Sequence, residues 1–187
     1  MDGNTDAISE RYERVARQFT ERVVAVPADA WDAPAPCEGW VARDVVGHLV
    51  EWLPAFFCGM WGIDPPAGPS VDDDPVAAWA AVDGVFRAAL ADPVLAGAER
   101  DTPMGRKDFA SAFDMIGTTD VFMHTWDLAR ATGLDETLDP VEVHRFVESM
   151  EPMDDMLRQS GQYGPRVPVP ADADEQTRLI AFIGRQP

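Results

Sequence analysis

The sequence predicts an all-α protein, a four-helix bundle with short accessory helices. Three observations carry that reading. Apolar residues recur at steps of three and four along several long segments. Those segments are bounded by proline, glycine and aspartate at the positions where helices start and stop. No pair of alternating segments joined by a hairpin turn stands out, so strands are not expected.

The first helix is read over residues 7–26, AISERYERVARQFTERVVAV, where Ile8, Tyr12, Val15, Phe19, Val23 and Val26 share a face and Pro27 stops the run. A Pro- and Ala-rich loop, ADAWDAPAPCEGW, follows, anchored by Trp31 and Trp40. The second helix starts near residue 42 in ARDVVGHLVEWLPAFFCGM, with a bend expected at Pro54. GIDPPAGPSVDDDP is a loop, its aspartates at 72–74 a solvated run without calcium-loop spacing. The third helix opens at Pro75, carries Val76, Trp79, Val82, Phe86 and Leu90 as its stripe, and closes at Asp92-Pro93. After a loop containing DTPMGRK, a fourth runs from about Asp108 to Ala131 and stops at Gly133. A fifth opens at Pro140, kinks at Pro152 and ends at Gly161. The extended tail YGPRVPVP leads to a last short helix, EQTRLIAFIG, with Asp172 and Glu175 as its capping pair. This organisation suits a single domain over residues 1–187.

Charge narrows the partners. With 33 Asp plus Glu against 15 Lys plus Arg, the net charge is −18, which repels nucleic-acid phosphates and anionic membrane surfaces. The start, MDGNTDAISE, lacks the basic and apolar regions of a signal peptide, and WLPAFFCGMWGI is too short to span a bilayer. Two cysteines, Cys37 and Cys58, do not make a disulfide scaffold. The expectation is a cytoplasmic protein with reduced thiols that binds neither nucleic acid nor membrane.

The pattern D-V-x-x-H occurs twice, as Asp44 to His48 and as Asp120 to His124, each within an expected helix. Positions four apart differ by roughly 40° around a helix, so each aspartate shares a face with its histidine. Asp127 returns to that face, making Asp120, His124 and Asp127 one polar stripe. Both histidines have apolar neighbours, and buried carboxylates and imidazoles are costly unless paired or coordinated. A divalent cation between facing helices would meet that cost, as would a hydrogen-bonded core network. Asp44 sits in a first helical turn, where a carboxylate favours the dipole and can cap; as a ligand instead, it would let two Asp and two His hold a dinuclear centre. Asp127 suits either a bond to a ligand histidine or acid–base work, against a plain salt bridge to Arg130. His144 shares its face with Glu148 and Glu151, which is a solvated face. Neither cysteine has an adjacent basic residue, so neither reads as a nucleophile.

Three blocks, PCEGWVARDVVGHLVEW, DVFMHTWDLARATG and YGPRVPVPADADEQTRLIAFIGRQP, together resemble actinobacterial metal-binding proteins of the DinB-like superfamily. These are related to the N-terminal domain of mycothiol-dependent maleylpyruvate isomerase. The resemblance covers nearly the whole chain. It implies a DinB-like four-helix bundle with a long crossover, and a homodimer. It also implies a divalent metal held by His48, Asp120 and His124. Asp120 stands where the isomerase has Glu, one methylene longer, so a metal here would lie nearer the helix or the helix would shift. The isomerase carries a further C-terminal domain for which this chain has no counterpart of similar size.

Three protein ligands leave an open coordination position, the pattern of catalytic zinc. Zinc is the first choice of metal, and two imidazoles with a carboxylate also suit nickel or iron. The resemblance implies a low-molecular-weight thiol such as mycothiol as cosubstrate and a small electrophilic substrate; Asp127, placed beside the ligands by its spacing, is the candidate catalytic acid–base group. Arg185, near the C-terminus, is a candidate contact for an anionic substrate. The expected function is therefore a thiol-dependent transferase or isomerase. The alternative is a non-catalytic metal- or small-molecule-binding module.

Overall fold

Aspartates open several of the helices. The computed structural model describes residues 2–159 and 163–187, and within it Asp74 accepts from Ala77 N to start α3 (Pro75–Ala91), with proline in the first turn. Asp92 does the same for the short α4 (Pro93–Ala96), and Asp108 for α5 (Phe109–Phe113). Each carboxylate satisfies backbone N–H groups that a helix start leaves without intrahelical partners. Glycines at positive φ close α2 (Ala42–Trp61) at Gly62 and α6 (Thr119–Thr132) at Gly133. The first helix, α1, spans Asp2–Ala25. The chain divides into two compact units, Met1–Glu136 and Thr137–Pro187.

In the first unit α1 packs against α3 and α6, and α2 packs against the same two helices. The four therefore run round the bundle as α1, α3, α2, α6, and the α1–α2 and α3–α6 connections cross its diagonal. Tyr12, Val15, Phe19 and Val23 of α1 bury as the periodicity predicts, as do Trp79, Val82, Phe86 and Leu90 of α3. Val76 does not: it is exposed in the first turn. Phe57 of α2 lies at the centre of the core, within ring contact of Trp61, Phe86, Phe109 and Phe113. The second helix continues unbroken through Pro54.

Two expectations in this unit are corrected. A β-hairpin, β1 (Glu99–Thr102) with β2 (Gly105–Asp108), stands where no strand was expected. Its strands are polar on both faces, so no alternation announces them. Its turn uses Gly105 at φ +90 and the Thr102 hydroxyl, which donates to Gly105 O. The expected fourth helix is also not one α-helix. A π-helical turn, Asp114–Thr118, separates α5 from α6.

That π turn requires a glycine. A Cβ on Gly117 would lie 2.8 Å from the ring of Phe113. Phe113 is fully buried against Tyr12, Phe57 and Phe86 and cannot retreat. Gly117→Ala should therefore cost about 1–3 kcal/mol through overpacking. The check is a urea titration, in which the midpoint should fall while the slope stays constant. An unchanged midpoint would contradict it.

The second unit holds α7 (Pro140–Met150), a 3₁₀ turn (Glu151–Met153), α8 (Asp154–Gln159) and α9 (Glu175–Phe182). The 3₁₀ turn falls at Pro152, the kink the sequence predicts. Gly161, the expected end of that helix, lies outside the described residues. Helices α7 and α9 pack together, and Val167 N donates to Ala181 O, tying the extended tail to α9. The cap of α9 is Asp174, not Asp172: Asp174 accepts from Thr177 N at 2.8 Å and from the Thr177 hydroxyl. The Asp172–Glu175 spacing matched a capping box, but the carboxylate immediately before the helix takes the bond. That bond to Thr177 N holds the Asp174 carboxyl below its ordinary range.

Candidate metal centre

His48 lies in α2, one turn after Asp44. Asp44 is exposed, and its Oδ2 accepts from Val41 N at 2.8 Å, so it serves the helix start. The facing donors come from α6, whose register follows from the π turn before it. A π turn takes one residue more than an α turn and rotates everything after it. This one is pinned by Arg11 of α1, which is buried and donates from Nη1 to both Asp114 Oδ1 (2.6 Å) and Asp114 O (3.2 Å).

Across the helix pair, His48 Nε2 lies 3.1 Å from Asp120 Oδ2. His124 Nε2 lies 3.5 Å from Asp120 Oδ1. The shorter aspartate thus reaches both imidazoles. Donors held roughly 2.0–2.1 Å from a tetrahedral zinc lie about 3.3 Å from one another. One donor atom from each of His48, Asp120 and His124 falls within 4.8 Å of the others. Donor chemistry and spacing both fit a small divalent cation. The group has an open side and a closed one: the side chains of His48 and Asp120 are 28% and 18% exposed, against 8% for His124 and none for Asp127.

Behind His124 the site continues inward. Asp127 Oδ2 lies 2.9 Å from His124 Nδ1. A carboxylate can only accept, so Nδ1 carries the proton and Nε2 faces Asp120. The same Asp127 oxygen accepts from Cys37 Sγ at 3.4 Å. Burial alone would lower the His124 pKa, but the Asp120 charge and the bonds to Asp127 and Cys37 outweigh it, and the ring is pushed up to about 10. Two carboxylates around one imidazole demand a positive charge, met by a proton or by a metal ion. Trp40 covers the pair of imidazoles, its ring stacked on His124 at 5.8 Å and tilted over His48 at 5.1 Å. Trp52 stacks on His48 in turn.

The structure therefore brings together His48, Asp120, His124 and Asp127, the residues singled out by spacing. Arg130 bonds Glu136 and lies over the Trp126 ring. His144 is exposed in the second unit and bonded to Glu175, and Arg185 belongs to that unit too. Cys58 is buried in α2, its thiol pushed up by burial and then by Asp64. Sequence reasoning passed over Cys37 and Trp40. Their signal was the PCEGW turn, three residues apart in a loop immediately before the first D-V-x-x-H helix.

Residues 12–56, which include Cys37, Trp40 and His48, match the family model described as "Mycothiol maleylpyruvate isomerase N-terminal domain". Two curated relatives, from Mycobacterium tuberculosis strains CDC 1551 / Oshkosh and ATCC 25618 / H37Rv, are each 31% identical over 176 residues. These alignments cover 93% of this chain and 95% of each relative, and both relatives carry the description "Uncharacterized protein". No solved structure matches the chain. With that coverage and identity, and with the helical bundle in place, the chain belongs to the actinobacterial DinB-like family related to the N-terminal domain of mycothiol maleylpyruvate isomerase.

Proposed function

We propose that the protein is a divalent-metal-dependent transferase or isomerase that uses a low-molecular-weight thiol, mycothiol being the form the family relationship suggests. The observation that carries this reading is the convergence of His48, Asp120 and His124 at ligand spacing, with one side open to solvent. When bound there, a divalent cation such as zinc, nickel or iron would stabilise a thiolate at neutral pH and so supply a nucleophile.

The chain's own residues do the rest. Asp127 holds the Nδ1 proton of His124 and thereby fixes which ring nitrogen faces outward. Asp127 is fully buried, so this orienting role fits its position better than proton transfer to a substrate. Asp120 spans both imidazoles and keeps α2 and α6 in register at the site. Trp40 and Trp52 flank the imidazoles and restrict water on their faces. Among the described residues no helix is long and apolar enough to cross a membrane.

The test is a cobalt-loaded protein titrated with a low-molecular-weight thiol. A sulfur-to-cobalt charge-transfer absorption should grow in, and the corresponding alcohol should not produce it. Cobalt binding with no such band at saturating thiol would leave a metal-binding module without thiol chemistry.

A further inference from the structure

The turn at residues 36–40 supplies no member of the His48, Asp120 and His124 set, though its Cys37 lies at ligand spacing from His124 and Asp127. Its backbone is tightly specified. Trp40 N donates to Cys37 O, Ala35 N to Trp40 O, and Ala42 N to Ala33 O, with Pro34 and Val41 forming an isolated bridge. Gly39 takes φ +78, a left-handed conformation that side chains rarely adopt. This geometry sends the Trp40 ring to the face of His124 and the Cys37 thiol to the carboxylate at its Nδ1 edge. The Trp40 ring stacks on the His124 imidazole. The Cys37 thiol turns inward, 8% exposed, to the oxygen of Asp127 that also takes the His124 Nδ1 proton.

We propose that Cys37 is a positioning residue for His124, acting through Asp127 rather than as a metal ligand or nucleophile. The inference rests on the metal-binding reading above for its functional meaning. Asp127 Oδ2 accepts two hydrogens, one from the imidazole and one from the thiol. The thiol bond restricts rotation of a carboxylate that is fully buried, and the imidazole plane follows the carboxylate. Geometry separates this role from ligation. Cys37, His124 and Asp127 also lie at ligand spacing from one another, but all three are buried and Asp127 already takes the Nδ1 proton, whereas His124 turns Nε2 toward Asp120 and the set of His48, Asp120 and His124 opens to solvent.

Two variants test it, Cys37→Ser and Cys37→Ala, each checked for cooperative thermal unfolding. Serine keeps a donor to the carboxylate and alanine removes it. Zinc affinity should fall about tenfold in Cys37→Ala, the low end for loss of a group supporting a ligand, and stay within about threefold in Cys37→Ser. A second readout needs no metal: the His124 Nδ1 proton of the metal-free protein, followed by NMR. It should resonate downfield and exchange slowly in wild type and Cys37→Ser, and broaden or shift in Cys37→Ala. Unchanged affinity and an unchanged ring proton in Cys37→Ala would overturn the proposal, as would equal losses in both variants. A sulfur-to-cobalt band in the wild type before any thiol is added, absent from Cys37→Ser, would overturn it too, because Cys37 would then be a ligand. If the wild type binds no metal at all, the metal reading fails, and the ring proton alone decides whether Cys37 positions His124.

Discussion

Asp127→Ala should destabilise the metal-free protein by about 3–5 kcal/mol, the cost of removing one member of a buried ion pair. Asp127 is fully buried and accepts from both His124 Nδ1 and Cys37 Sγ. Without it two buried donors lose their acceptor and the imidazolium loses its closest counter-charge. At a few degrees of melting temperature per kcal/mol for a chain of this size, the midpoint should fall by roughly 10 °C. Metal affinity should fall about 10- to 100-fold, as for other carboxylates that orient a ligand histidine. Asp127→Asn separates the two effects. Its amide oxygen still accepts, so most of the stability should return, but a neutral acceptor does not strengthen the imidazole as a ligand. A melting temperature for Asp127→Ala equal to wild type would mean that this bond network contributes nothing to the fold.

The second large effect is a pH dependence in the metal-free protein. His124 titrates at about 10 when folded, against an ordinary value of 6.5, so the folded state holds the proton more tightly than the unfolded one. The stabilisation is therefore complete below pH 6.5 and is lost as pH rises from 6.5 to 10. The shift corresponds to something on the order of 5 kcal/mol across that window. His144, whose pKa is also raised, by Glu175 and then Glu148, adds a surface contribution of the same sign. The comparison that isolates the buried group is wild type against His124→Gln, followed by urea unfolding at several pH values. The difference between them should shrink steadily above pH 6.5. A constant difference up to pH 10 would show that His124 is neutral throughout. The same proton must leave when a cation takes its place, so metal affinity should rise over this window, with proton release measurable by calorimetry in two buffers.

Periodicity exposed most of the bundle because its helices bury one face each, and Tyr12, Phe19, Trp79 and Phe86 lie where the spacing puts them. The π turn left no such mark. It depends on Gly117 packing against Phe113, a contact between residues four apart that resembles any other helical neighbour pair in the sequence. The hairpin escaped because Glu99 to Asp108 buries neither face, and alternation appears only where one face is apolar. At the site, Asp120, His124 and Asp127 were legible because they lie on one helix, where spacing converts directly into geometry. His48 was legible as a repeat of the same motif. Cys37 lies 90 residues from Asp127 in sequence and reaches it through a loop, and loop conformation has no period from which to read direction.

The central claim is that His48, Asp120 and His124 hold a divalent cation. Elemental mass spectrometry of untagged protein, purified beside His124→Ala, tests it most directly. About one divalent metal per chain in the wild type and none retained in the variant is the outcome that three convergent donors require. No metal in the wild type, even after incubation with zinc, nickel and iron, would contradict it and leave Asp120, His124, Asp127 and Cys37 as a hydrogen-bonded network within the bundle.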